Sequence, residues 1–230
     1  MTKSICIIPA RGGSKRIPRK NMKLFRKKPI ILWSINAAKL SKSFDEIMVS
    51  TDDKNIAEYA RKNGVNVPFM RSKLNSDDKS TTSDVIFEVL KNYNNKGKKF
   101  DLACCLYPTA PLITSKSINN GKLELTKSKF NVIMPVTKLN PSIWRSFNRK
   151  KNGLIELNFP KNISTRSQDL PITYIDAGQW YWFWVKPFLK SKSLIGNKTG
   201  SIVLSNDNAQ DIDTEEDWKE AERKHKILFK

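Results

Sequence analysis

Short apolar runs alternate with helical spacing along most of this chain. Residues 5–9 form an apolar run of buried-strand length, followed by a Gly-containing loop over 10–21. The spacing predicts a helix over 29–40, with Ile31, Trp33, Ile35 and Ala38 among its apolar positions and Pro29 as its first residue. A strand over 46–50, a helix over 54–63 ended by Gly64, and a strand over 65–69 complete a β-α-β-α-β run. Then follow a helix over 82–93, a strand over 102–106, a helix near 115–125 and a strand over 132–137. The alternation implies an α/β fold: a mainly parallel sheet with helices on both faces.

The pattern breaks over 138–172, a basic, Asn-rich stretch without a clean helical period, read as an inserted arm. Residues 1–137 and 173–230 are read as a single α/β domain. An aromatic-rich strand over 173–185 resumes the pattern, followed by a short helix near Pro187 and a strand over 201–204. The last helix, over 215–228, has Thr214 as N-cap and Glu215, Glu216 and Asp217 in its first turn, where they favour the helix dipole. In the strand carrying Trp180, Tyr181, Trp182, Phe183 and Trp184, alternation makes core packing the simplest use of the aromatics. Trp180 alone is kept as a binding candidate.

Charge adds the next constraint. The 230 residues hold 42 Lys plus Arg against 22 Asp plus Glu, a net charge of +20. A basic stripe is the footprint of phosphate recognition. However, 32 of the basic residues are Lys and only 10 are Arg, alongside 20 Asn, a balance closer to general surface composition than to base readout. Nucleic acid is therefore set aside as the main partner. With 39% hydrophobic residues the chain has the material for a core. The distribution is more telling than the total. Residues 1–28 carry ten basic groups and no acid, whereas 206–230 carry eight acids and five bases. Cys6, Cys104 and Cys105 fall in apolar runs and read as buried, reduced thiols. Neither a signal peptide nor a membrane span is expected, which points to the cytoplasm.

Two segments suggest chemistry. The first is the loop from Ala10 through Arg11, Gly12, Gly13, Ser14, Lys15 and on to Lys20 and Asn21, leaving the first strand where open α/β sheets bind ligands. Adjacent glycines let amides approach an anion, and Arg11, Lys15 and Lys20 supply charge. It is neither a Walker loop nor Gly-x-Gly-x-x-Gly, and alone it reads equally as a solvated turn. The second is Asp211-Ile212-Asp213-Thr214. Residues two apart on an extended segment share a side, so Asp211 and Asp213 can converge on one cation, with Mg²⁺ the usual choice beside phosphates. Alone, the acids read equally as helix-flanking decoration.

Taken in order, the opening loop, Val49-Ser50-Thr51-Asp52, Tyr107-Pro108-Thr109-Ala110-Pro111 and Asp211-Ile212-Asp213-Thr214 resemble motifs of the CMP-sialic acid synthetase family, the cytidylyltransferases that activate acidic keto-sugars. The resemblance runs from residue 5 to about 220. It implies a Rossmann-like nucleotide-diphospho-sugar transferase fold with a mainly parallel mixed sheet and a small dimerisation arm. It also implies CTP as co-substrate, Mg²⁺ as cofactor, a homodimer, and release of pyrophosphate as a sugar acid is activated. Tyr107 stands where sialic acid enzymes usually have Gln, Ile113 where they have Arg, and Asp176-Ala177-Gly178-Gln179 replaces an Asn-Gly. These departures favour a less hydroxylated nonulosonic acid such as pseudaminate, with N-acetylneuraminate or legionaminate as alternatives.

The resemblance implies roles by position. Arg11, Lys20, Asp211 and Asp213 would be catalytic. Ala10, Arg11, Gly12, Gly13, Lys15, Lys20, Asn21, Arg71, Ser76 and Asp77 would bind CTP. Tyr107, Arg166, Gln168, Asp176, Gln179 and Trp180 would meet the sugar, and Asp211 and Asp213 the metal, with Asp211 coordinating directly. His225 receives no catalytic role.

Overall fold

The computed structural model describes residues 2–139 and 143–229. In chain order the elements are β1 (Ser4–Pro9), β2 (Leu24–Phe25), β3 (Lys28–Pro29), α1 (Ile31–Ser41), β4 (Glu46–Ser50), α2 (Lys54–Lys62), α3 (Thr82–Asn95), β5 (Leu102–Leu106) and α4 (Ser115–Lys127). They continue with β6 (Val132–Lys138), β7 (Phe147–Arg149), β8 (Ile155–Leu157), β9 (Tyr174–Asp176), β10 (Trp180–Trp184), α5 (Val185–Ser191), β11 (Thr199–Leu204) and α6 (Glu215–Leu228). Side-chain caps set the helix starts. Asp53 accepts from the amides of Asn55 and Ile56, while Thr81 with Asp84 and Thr214 with Asp217 form capping boxes.

The main sheet has the order β11-β6-β10-β5-β1-β4, with β9 also on β6. Strands β4, β1 and β5 run parallel, as do β6 and β11, while β10 lies antiparallel between β5 and β6. Period-2 alternation divides the core. Cys6, Ile8, Cys104, Trp180 and Trp182 face α1, α2 and α4, and Ile5, Ile7, Cys105, Tyr181 and Phe183 face α3 and α5. All three cysteines are free and buried, as expected, and burial pushes their thiols up. Among the described residues no helix is long and apolar enough to cross a membrane.

Three expected elements differ. Pro29 is not the first residue of α1: it ends β3, paired with Leu24 across a two-residue turn in which Arg26 and Lys27 both take positive φ. The expected strand over 65–69 reduces to one bridge between Met48 and Asn66, because Pro68 has no N–H to continue a ladder on β4. The aromatic strand over 173–185 is broken into β9 and β10. Between the pairs Val136–Asp176 and Ile133–Trp182, one strand advances six residues and β6 only three. The surplus, Ala177 to Gln179, bulges out at the sheet edge, with Gly178 at φ 62°.

The 138–172 stretch, whose residues 140–142 lie outside the described ones, contains the β7–β8 hairpin and three 3₁₀ turns. Helix α6 packs Trp218 and Ala221 on Phe25, Ile17, Ile30 and Ile212. His225 is enclosed in this cluster, 4.3 Å from the Trp33 ring centroid, and burial pushes its pKa down to about 4. It is a neutral packing residue, consistent with the absence of a catalytic assignment.

Candidate active site

Strands β1, β4, β5 and β6 all end on one edge of the sheet, and the 177–179 bulge opens there too. The loop after β1 is shaped from both sides. Asn21 donates its side-chain amide to the carbonyl of Arg11 (2.9 Å), the Ala10 amide donates to Ser50 (2.9 Å), and the Gly12 amide donates to Asp52 Oδ1 (2.9 Å). Gly12 is required by close approach: a Cβ there would lie 2.9 Å from Asp53 Cβ and Oδ2. Around Gly13 there is open space.

Arg71 is the most buried cation of the site, 8% exposed, and its guanidinium donates to the hydroxyl and carbonyl of Ser50. Burial lowers its pKa to about 10, so it remains charged at neutral pH. Among the described residues it has no ion-pair partner within 4.0 Å. With Arg11, Asn75, Asp77, Asp78, Ser80, Thr82 and Tyr107 it lines a cavity of about 240 Å³. A buried, hydrogen-bonded but unpaired cation on a cavity wall is suited to an anion or a polar acceptor.

The carboxyl-terminal acids meet the amino-terminal bases. Asp213 pairs with Arg16 and, at 3.6 Å, with Lys20; Lys20 also donates to the carbonyl of Ile212, and Lys23 pairs with Glu215. Ile212 is fully buried, so Asp211 and Asp213 share the opposite side. Asp211 opens to solvent, yet the walls around it and the nearby Asp213 charge raise its pKa. It has no ion-pair partner among the described residues. A second cavity of about 270 Å³ is lined by Asp211, Asp176, Ala177, Lys138, Gln210 and Lys224. Gly178 faces Asp211, and a Cβ there would sit 3.4 Å from its carboxyl carbon.

Other sequence candidates fall in different places. Ser76 donates to Ser72 (2.7 Å), and the Asp77 carboxylate accepts from Lys79, Ser80 and the Ser80 hydroxyl, so both hold their own loop. Asp176 accepts from the Gly178 amide (2.9 Å) and from the Tyr181 hydroxyl, which fixes the bulge. Tyr107 packs edge-on against Tyr181 and burial pushes its pKa up to about 12, leaving a neutral phenol at the cavity wall. Gln179 is 1% exposed and donates to Asn208 (2.6 Å), and its side-chain carbonyl has no hydrogen-bond partner among the described residues. Arg166 and Gln168 are exposed on the arm, where Arg166 pairs with Asp169. Trp180 is a correction: fully buried against α4, with its indole N–H on Ser117 (3.0 Å), it presents no surface to a sugar. Its strand parity faces α4, whereas Tyr181 lies one residue on and therefore faces the Tyr107 wall.

Sequence reasoning missed Tyr181, although alternation separates it from Trp180. It also missed Asp78, which carries no periodic signal. A cavity of about 650 Å³, lined by Leu90, Phe100, Trp184 and Leu189 together with Lys98, Lys99, Lys186 and Lys190, lies at the opposite ends of the strands.

Comparison with known proteins bears on this arrangement. Residues 5–158 match the family described as Cytidylyltransferase. The pseudaminic acid cytidylyltransferase of Campylobacter jejuni is 36% identical over 228 residues, covering 99% of this chain and 97% of that protein. The CMP-N,N'-diacetyllegionaminic acid synthase of Legionella pneumophila is 31% identical, covering 95% and 94%. In three dimensions the chain resembles a CMP:2-keto-3-deoxy-manno-octonic acid synthetase complexed with CTP, with a TM-score of 0.72, 15% identity, and coverage of 96% and 98% of the two chains.

Proposed function

Because the chain belongs to the cytidylyltransferase family, we propose that it transfers CMP from CTP to pseudaminic acid, releasing pyrophosphate. The single observation that carries this reading is the convergence, at the carboxyl edge of the strands, of the cationic loop after β1 with the Asp211–Asp213 pair. The higher identity to the pseudaminic relative than to the legionaminic one supports the choice of sugar.

In this reading Arg11 and Lys15 hold the triphosphate, the amides of Gly12 and Gly13 approach it, and Arg71 offers a charged donor from the cavity wall. The anomeric hydroxyl attacks the α-phosphorus and gives up its proton to solvent, while the bond from the α-phosphorus to the bridging β-phosphate oxygen breaks and pyrophosphate leaves. These groups act by positioning and by offsetting charge on the leaving pyrophosphate, without an enzyme nucleophile. Lys20 ties the loop to Ile212 and Asp213, which sets the distance between the cradle and the acids.

The donor set fits a divalent cation. Two carboxylates share one side of an extended segment; burial first, and then the Asp213 charge, raises the Asp211 pKa, an unfavourable state that a bound cation would relieve. Mg²⁺ held by Asp211, with Asp213 beside it, would supply Lewis-acid polarisation of the phosphate when bound. Tyr107 and Asp176 are the sugar candidates on the cavity walls.

We take 1–137 and 173–230 as one catalytic unit and 138–172 as an arm that joins two copies. Phe147, Leu154, Ile155 and Ile163 are at least half exposed on it, an apolar surface that a partner would cover. Arg166 and Gln168, carried on the same arm, would then reach a sugar cavity, either in their own copy or in the partner. Sedimentation equilibrium should give twice 26.4 kDa; a monomer at high micromolar concentration would refute the arm's role. A cytoplasmic location fits this reading, since CTP is available there.

Pyrophosphate release measured with CTP and Mg²⁺ across a panel of nonulosonic acids tests the whole reading. Turnover should be highest with pseudaminate. Activity confined to N-acetylneuraminate would overturn the sugar, and folded protein inert toward every acid sugar would overturn the enzyme.

A further inference from the structure

The cationic loop already holds a carboxylate. Asp78 contacts Arg11 with one oxygen at 2.9 Å and Lys15 with the other. Arg11 is drawn further toward this loop by donating to the carbonyl of Asp77 (2.9 Å). The rest of the loop is anchored without Asp78. Ser72 and Asn75 bind Glu88, Ser80 donates to Leu74 (2.8 Å), and Thr81 begins the capping box of α3. The Asp77 carboxylate is spent on Lys79 and Ser80. Two adjacent acids thus do different work: Asp77 folds the loop, whereas among the described residues the Asp78 side chain pairs with Arg11, which lines the cavity, and with the exposed Lys15.

Resting on the cytidylyltransferase reading above, we propose that Asp78 is an internal stand-in for phosphate, which pairs Arg11 and Lys15 before nucleotide arrives and which the CTP triphosphate must displace. The physical reason is charge crowding. Arg11, Lys15, Arg16 and Lys20 lie within ten residues of one another, and Asp213 compensates the latter two just as Asp78 compensates the former two. A single carboxylate at the solvent boundary holds them in place, while a triphosphate with several charges displaces it. Because Ser72, Asn75 and Ser80 anchor the 72–80 loop independently, displacement of the Asp78 side chain leaves the fold of that loop in place.

The consequence is a competition term in binding. Exposed pairs of this kind shift an equilibrium by at most about fivefold each, so Asp78→Asn should tighten CTP binding by about threefold to tenfold. Titration calorimetry on the full chain, with CTP and with inorganic tripolyphosphate as separate probes, reads this directly. Both probes should gain by the same factor, since both displace the same group. The gain should shrink in the Asp78→Asn, Lys15→Gln double variant and at high salt. Asp78→Ser serves as a second variant, and an unchanged Tm confirms that the loop is intact. Unchanged or weaker binding of both probes by the folded single variants would overturn the proposal. If wild-type protein bound tripolyphosphate but not CTP, the cytidylyl reading would fail while the tripolyphosphate series still reported on Asp78.

Discussion

Replacing Asp211 with alanine should cost about 10²–10³-fold or more in pyrophosphate release while leaving the protein folded. The expectation rests on the asymmetry of the acid pair. Asp213 is engaged by Arg16 and Lys20 and helps to close the α6 end of the molecule. Asp211 has no such partner among the described residues, opens to solvent, and is held at raised pKa by its surroundings. A carboxylate kept in an unfavourable state, beside a glycine that leaves it room, contributes little to stability. Its removal relieves repulsion with Asp213, so Tm should stay level or rise slightly. Activity and stability therefore separate, and this distinguishes a working acid from one that decorates a helix start. Residual activity within tenfold of wild type, under saturating CTP and Mg²⁺, would remove Asp211 from the chemistry.

Gly121→Ala should have the largest structural effect. Gly121 lies within α4, where alanine is normally favoured over glycine by about 1 kcal/mol. Here a Cβ would lie 2.4 Å from Trp180 Cη2 and 2.7 Å from Trp182 Cδ1. Neither indole can swing aside. Both are fully buried, Trp180 is tied to Ser117 and Trp182 to Ile118, and Phe44 stacks on Trp182 at 4.9 Å. Overpacking of this kind costs 1–3 kcal/mol and sometimes more, and with two pinned rings the upper range applies, outweighing the helix gain. A net loss of about 2 kcal/mol and a fall in Tm of roughly 4–8 °C are expected. At Gly200 the clash is divided: a Cβ would meet the Phe130 ring at 2.4 Å, which at 41% exposure can rotate away, but also the fully buried Ile133 Cδ1 at 2.7 Å. Urea unfolding checks the claim, and a Gly121→Ala midpoint at or above wild type would refute the packing argument.

The elements most legible in the sequence were those whose own residues enforce them. The strands over 46–50 and 102–106 are found at those bounds because their apolar runs are closed by polar residues on both sides. The last helix begins at Glu215 because Thr214 and Asp217 cap it locally. The spacing of Asp211 and Asp213 likewise placed them on one side, since the buried Ile212 takes the other. Errors arose where a partner decided. Asn66 could form only one bridge because Pro68 denied β4 a second donor, and the aromatic run was broken because β6 offered three fewer positions than it required. The site was legible as two motifs of opposite charge, but not in its pairings. Asp78 in the cradle and Tyr181 beside Tyr107 belong to segments far apart in the chain.

By itself, then, the sequence determined that an α/β sheet would form, that a basic glycine loop would leave its first strand, and that an acid pair would precede its last helix. These follow from period, capping and the two-residue alternation of extended chain, all local properties. Only the tertiary structure decided that the basic start and the acidic end meet, through Asp213 with Arg16 and Lys20 and through Glu215 with Lys23, about 190 residues apart in the chain. It also decided which bases are thereby neutralised, that Arg71 is buried without an ion pair among the described residues, and that Trp180 is packed away from the cleft. Charge and burial act through space, so their outcome depended on the sheet order that brought these segments to one edge.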